Sequence, residues 1–117
     1  MNHNQIIGQW GEQAAVQYLE RKGYSLLGRN FRTPYGEIDI IAAHLGVVIF
    51  VEVKARTSRS FGLPENGLTS KKLTRMLACA EYYAAEKNLE TWQCDAISVE
   101  GKPGGDVEIE HFENITR

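Results

Sequence analysis

The pattern of apolar and polar positions divides the chain into helices and strands before any chemistry is considered. Ile6, Ile7, Trp10, Ala14, Tyr18 and Leu19 recur at helical spacing across residues 5–22, and Gly23 supplies a C-terminal stop. Residues 24–31 read as a first strand, with Gly28 a candidate bulge, and Thr33-Pro34-Tyr35-Gly36 reads as a turn. Two β-branched, apolar runs follow, residues 36–43 and 47–56, separated by His44-Leu45-Gly46, and together they predict a β-hairpin. Residues 57–67 are rich in Ser, Gly and Pro and carry Arg59; they read as a mobile loop that leaves the chain just after Lys54 and could close over whatever the hairpin binds. A second helix starts after Leu68, capped by Thr69 or Ser70, with Leu73, Met76, Leu77, Ala80 and Ala84 as its buried stripe. Residues 92–99 alternate as a fourth strand, Lys102-Pro103-Gly104-Gly105 is a turn, and residues 107–112 form a fifth strand. Residues 113–117 are expected to fray. The resulting order, α-β-β-β-α-β-β, predicts an α/β domain with a mixed sheet, and the connection through the second helix is long enough for a parallel crossover.

The hairpin organises the rest. If Leu45-Gly46 is a two-residue loop, His44 faces Val47, and the same register places Asp39 opposite Glu52 and Glu37 opposite Lys54. Side chains alternate faces along a strand, so these four polar groups are expected on one face. Directly opposed Cβ atoms lie about 5 Å apart. Two carboxylates that close repel unless something positive sits between them, and a divalent cation beside Lys54 is the obvious candidate. An exposed cross-strand salt-bridge cluster is the plainer alternative. The flanking Ile and Val runs argue against it, because four charges on a buried strand pair are costly without a ligand. An acid-x-lysine triplet alone is cheap: Glu20-Arg21-Lys22 and Glu100-Gly101-Lys102 also match, so only context distinguishes Glu52-Val53-Lys54.

Composition bounds these expectations. The 117 residues suit one domain, 1–117, with one core, and the hydrophobic and charged fractions, 43% and 24%, are ordinary for a soluble protein. No apolar run reaches membrane-spanning length and the N-terminus lacks a signal-peptide pattern, which leads to the expectation of a cytoplasmic protein without a membrane partner. Cys79 and Cys94 lack metal-ligand spacing and read as buried, reduced thiols. The net charge is −2, yet residues 1–76 carry ten Lys/Arg against six Asp/Glu (+4) and residues 77–117 carry three against nine (−6). This split suggests a basic working face and an acidic back, or simply an uneven solvated surface. Lys71, Lys72 and Arg75 crowd the first turns of the second helix, the end where basic residues are mildly unfavourable; they would suit a phosphate, or form a solvated basic patch. Glu12, off the apolar stripe of the first helix, reads on position alone as a solvated acid.

An acid on one strand and Glu-x-Lys on the next, within an αβββαβ order, resembles the restriction-endonuclease-like PD-(D/E)xK nuclease fold. The chain is more closely similar to the YraN-like family of small bacterial proteins, which in turn resembles archaeal Holliday-junction resolvases. The resemblance rests on Gly11-Glu12 with Ala15 and Tyr18-Leu19, on Arg29-Asn30, on Gly36-Glu37-Ile38-Asp39-Ile40-Ile41-Ala42 and on Phe50-Val51-Glu52-Val53-Lys54-Ala55-Arg56. Thr69 with Lys72, and Asp95 after Cys94, extend it. Gln93-Cys94-Asp95 departs from the family's more usual Arg-Phe-Asp, removing a positive charge and leaving the partner of Asp95 open.

The resemblance implies a role for each position. Asp39 and Glu52 would hold Mg²⁺ or Mn²⁺ with the Val53 carbonyl as third ligand. Lys54 would orient or deprotonate the attacking water and stabilise charge on the phosphoryl group. Glu12 would reach the site through water or a second metal, which reverses its reading as a solvated acid. Lys72 would contact the scissile-strand phosphate, with Arg56, Lys71 and Arg75 also on nucleic acid, and Glu37 would support Lys54 from behind. The implied activity is metal-dependent hydrolysis of DNA phosphodiesters, with branched structures such as Holliday junctions as candidate substrates and a homodimer as the candidate assembly, since branched DNA has two-fold character. A nuclease-fold module that binds nucleic acid or a protein without cutting is the alternative from a different class, favoured by the acidic pI and small size.

Overall fold

The computed structural model describes residues 1–57 and 69–116; apart from Thr57, the loop expected at 57–67, with Arg59, lies outside the described residues. The elements are α1 (His3–Arg21), β1 (Ser25–Thr33), β2 (Gly36–His44), β3 (Val47–Arg56), α2 (Ser70–Lys87), β4 (Trp92–Gly101) and β5 (Val107–Phe112). The five strands form a sheet in sequence order. Strands β3 and β4 run parallel, joined through α2, and the other neighbours are antiparallel. The order and the mixed sheet are those expected from the sequence.

Local chemistry explains most boundaries. Asn2 caps α1 in a reciprocal box with Gln5, and the chain leaves the helix through Gly23 at φ 91°. Thr69 caps α2, its side chain accepting from the Lys72 N–H at 3.2 Å. The β2–β3 hairpin closes at His44↔Val47 with Leu45 and Gly46 at φ 52° and 79°, the double positive φ of a type I′ turn. The register of β1 slips between Leu26 and Gly28, so the bulge lies where Gly28 suggested.

The helices cover opposite faces of the sheet. Ala15, Val16 and Leu19 of α1 pack with Ile40, Ala42, Ile49, Val51, Ile97 and Val99; Met76, Cys79 and Ala80 of α2 pack with Ile38, Ile41, Phe50 and Cys94. Both cysteines are buried and free. The buried face of α1 is rotated from the expected stripe: Ile6 is 46% exposed, whereas Gly11 is buried. Hydrophobicity misplaces this face because the closest approach is made by small residues. A Cβ added at Gly11 would collide with Ala55 Cβ on β3, so the glycine lets helix and strand touch.

Residues 113–116 dock rather than fray. The Ile115 N–H donates to the Cys94 carbonyl at 2.8 Å and the Asn114 N–H donates to Asp95 Oδ1 at 2.9 Å. Asp95 is fully buried and has ample partners: Gln93 Nε2 donates to its Oδ1 at 3.0 Å, and His111 Nε2 lies 2.7 Å from its Oδ2. His111 Nδ1 meets the Tyr18 hydroxyl at 3.1 Å, which ties β4, β5, the C-terminal residues and α1 together. This network supplies the partner that the Gln93-Cys94-Asp95 departure left open.

The Gly11–Ala55 contact makes a test of packing. Gly11→Ala should lower unfolding free energy by about 1–3 kcal/mol, although alanine is the better helix former. Adding Ala55→Gly should recover part of the loss in urea denaturation, and additive effects of the two changes would contradict a direct clash.

Candidate active site

The site forms where β2 and β3 part. In the hairpin register His44, Ala42 and Ile40 face Val47, Ile49 and Val51, and the next such pair would be Ile38 with Val53. That pair is absent: the pairing ends at Ile40↔Val51. Ile38 turns into the α2-side cluster, beside the β1 position where Asn30 adopts φ 52°. The Val53 N–H thereby loses its strand partner and donates instead to Asp39 Oδ2 at 2.8 Å. The N–H and C=O of one strand residue point to the same side, so the Val53 carbonyl faces the same gap. Asp39 and Glu52, expected to face each other in the ladder, thus stand one step past its last paired residues.

Around this gap lies a cleft of about 490 Å³ whose walls include Asn4, Gly8 and Glu12 of α1, Asp39 of β2 and Val53, Lys54 and Arg56 of β3. Glu12 enters it from the helix turn fixed by the Gly11–Ala55 contact, and Arg29 Nη2 lies 3.6 Å from its Oε1. Arg29 also donates to Gln13 Oε1 at 3.0 Å, so β1 clamps this turn of α1. Glu52 lies on the α2 side, where Arg75 Nη2 approaches its Oε1 at 3.3 Å. Gly36 makes room for that arginine, since a Cβ there would stand 3.1 Å from Arg75 Cδ.

The electrostatics of the site are frustrated in two places. Burial and then the Glu52 carboxylate push the Asp39 carboxyl up to about 7, with Glu12 and Glu37 adding, against the Val53 N–H. Burial likewise raises Glu52, tempered by Arg75, Lys72 and Lys54. Beside the acids stand two crowded cations: Lys72, first, and then burial hold the Lys54 ammonium below the usual lysine value.

The remaining expected residues fall unevenly. Lys71 and Arg75 line a shallow groove with Tyr35, on the outer side of α2. Arg56 lies 4.0 Å from Glu100 on the neighbouring strand. Glu37 pairs with Arg32 at 3.8 Å across β1–β2 and makes no ion pair with Lys54 among the described residues, so the expected support of Lys54 is replaced by a cross-strand pair. Among the described residues no group of three or more His, Cys, Asp or Glu side chains is placed to hold a metal. Asp39 lines the cleft and Glu52 stands on its α2 side, so these two carboxylates and the Val53 carbonyl are the oxygens that could serve a cation there. Such hard oxygens fit Mg²⁺ or Mn²⁺, and Mg²⁺ uses one or two carboxylates and keeps several waters. Sequence reasoning missed Arg29 as the partner of Glu12 and missed the wall formed by His3, Asn4 and Gly8. Arg29-Asn30 stood out as a motif, but no spacing rule joins it to Glu12.

A family model described as "Uncharacterised protein family UPF0102" matches residues 11–99. A UPF0102 protein of Syntrophotalea carbinolica is 44% identical over 108 residues, covering 91% of this chain and 87% of that relative. One from Roseiflexus castenholzii is 38% identical over 110 residues, covering 91% and 89%. Among solved structures, a chain in "Structure of EndoMS-dsDNA2 complex" is 12% identical with a TM-score of 0.48; the match covers 73% of this chain and 34% of that one. No helix among the described residues is long and apolar enough to cross a membrane.

The raised Asp39 carboxyl predicts a pH dependence. Below about pH 4 the group is protonated folded and unfolded; between about 4 and 7 only the folded protein keeps the proton. Stability of the metal-free protein should therefore fall as pH rises through that window. Asp39→Asn should remove this fall and melt higher than wild type at pH 8, by roughly 2–4 kcal/mol in unfolding free energy. A mutant whose stability curve parallels wild type across pH 4–8 would refute the assignment.

Proposed function

The chain belongs to the UPF0102 family, and from that membership and the cleft we propose a metal-dependent nuclease that hydrolyses DNA phosphodiesters. The observation that carries this reading is that one cleft gathers like charges of both signs: the acids Glu12 and Asp39, the latter fixed by the Val53 N–H, and next to them Lys54, crowded by Lys72. A metal ion and a phosphodiester together relieve both, whereas a protein that only bound nucleic acid would gain nothing from carboxylates facing a phosphate. The αβββαβ order and Glu52-Val53-Lys54 match the PD-(D/E)xK nuclease pattern and support the same conclusion.

In this reading Asp39, Glu52 and the Val53 carbonyl would hold Mg²⁺ or Mn²⁺. When bound, the ion supplies a Lewis acid for the phosphoryl oxygen and lowers the pKa of water. Asp39 is held in place by the Val53 N–H, and Glu52 by Arg75, so neither carboxylate has to be ordered when substrate arrives. Lys54, with its pKa lowered by Lys72 and burial, is poised to position or accept a proton from the attacking water, and its cationic form stabilises charge developing on the phosphoryl group. Lys72, beside Lys54, takes a non-bridging oxygen of the scissile phosphate in this reading. Glu12, held by Arg29, orients water at the opposite wall. The basic first turns of α2 continue the phosphate path through Arg75 and Lys71, and Arg56 borders the cleft. Branched DNA is the preferred substrate in this reading, with two copies of the chain matching its two-fold character.

Incubation with linear and four-way branched DNA plus Mn²⁺ tests the reading; absence of metal-dependent cleavage of every DNA would overturn it. Lys54→Ala should lower single-turnover cleavage by roughly two to four orders of magnitude while calorimetric Mn²⁺ affinity stays equal or rises. Glu52→Gln should lose affinity and cleavage together. Cleavage by Lys54→Ala at the wild-type rate would remove that residue from the chemistry.

DNA affinity should also fall with salt, and replacing Lys71, Lys72 and Arg75 together with Ala should flatten the dependence of log K on log[salt]. An unchanged slope would mean that these turns of α2 do not touch phosphates.

A further inference from the structure

Gly8 sits on α1 one turn from Asn4 and one turn from Glu12, and all three line the cleft. Glycine inside a helix lowers stability relative to alanine, so its presence asks for a reason. Three residues on, Gly11 has one: a Cβ would meet Ala55. Gly8 has none of that kind. Among the described residues, apart from its chain neighbours and the adjacent helix backbone, nothing lies within 4 Å of a Cβ built on it, and it lies within the regular span of α1. Neither packing nor conformation within the described protein requires glycine here, and the space a side chain would fill belongs to the cleft.

We infer that the ligand takes this space: the sugar–phosphate backbone of a DNA strand runs from the acid cluster across the bare surface of Gly8 to His3 and Asn4. This rests on the nuclease reading above and adds the path of the strand. The walls favour a polyanion along this track. Glu12 and Asp39, the two acids lining the cleft, stand at the end where the metal ligands are, while Lys54 and Arg56 line it from β3 and the His3 ring and Asn4 amide offer donors at the far end. A Cβ at position 8 would hold the strand away from the helix without disturbing the fold.

The test combines thermal denaturation with fluorescence anisotropy of labelled duplex and branched DNA, in Ca²⁺ to suppress cleavage. Gly8→Ala should melt at or above the wild-type temperature yet bind DNA severalfold more weakly, and Gly8→Leu should bind tenfold or more weakly. Gln9→Leu, exposed and outside the cleft, should bind as wild type. Wild-type affinity in both Gly8 variants, equal weakening in Gln9→Leu, or a Gly8→Ala protein that melts well below wild type would overturn the path. Wild-type protein that binds neither DNA overturns the nuclease reading along with it; wild-type binding with unaffected Gly8 variants overturns the path alone.

Discussion

One hydrogen bond shapes this molecule: the Val53 N–H to the Asp39 carboxylate at 2.8 Å. It replaces a backbone bond that the hairpin register would otherwise make with Ile38. A buried N–H cannot be left unpaired without cost, so the strands can part only if a side chain takes over. Asp39 does so, and in doing so is drawn toward Glu52 and out of water. The bond therefore satisfies the parted strand and leaves the Asp39 carboxyl within electrostatic reach of Glu52. The rest of the fold holds this arrangement from both sides, with α1 seated against Ala55 through Gly11 and α2 delivering Arg75 and Lys72 to Glu52 and Lys54.

Such an arrangement is locally unfavourable. A carboxyl pushed to about 7 and a lysine held low by another lysine both cost stability in the metal-free protein. Elsewhere the described residues carry caps on both helices, a matched I′ turn, apolar clusters on both sheet faces and a satisfied buried acid in Asp95. Local conflict of the kind seen at Asp39 and Lys54 is characteristic of functional sites.

The hairpin, its register and the parallel crossover were legible because two-residue periodicity and a Leu-Gly turn leave little freedom. The parting of the strands was not, because it depends on Ile38 turning toward α2 and Asn30 adopting a left-handed backbone, neither of which alters the apolar pattern. Glu12 needed the resemblance to be seen at all: its helix faces the sheet through Gly11 and Ala15, which hydropathy scarcely marks. Glu37 meets Arg32 of β1, a cross-strand neighbour that the β2–β3 hairpin alone does not show. Asp95 could not be paired from sequence, as His111 reaches it from another strand and Asn114 from residues expected to be loose.

Anomalous diffraction from crystals soaked in Mn²⁺ decides whether the gap between Asp39 and Val53 is a metal cradle. A manganese peak should contact both the Asp39 and Glu52 carboxylates and the Val53 carbonyl. A soaked crystal with no peak there, or with manganese bound only elsewhere, would contradict it.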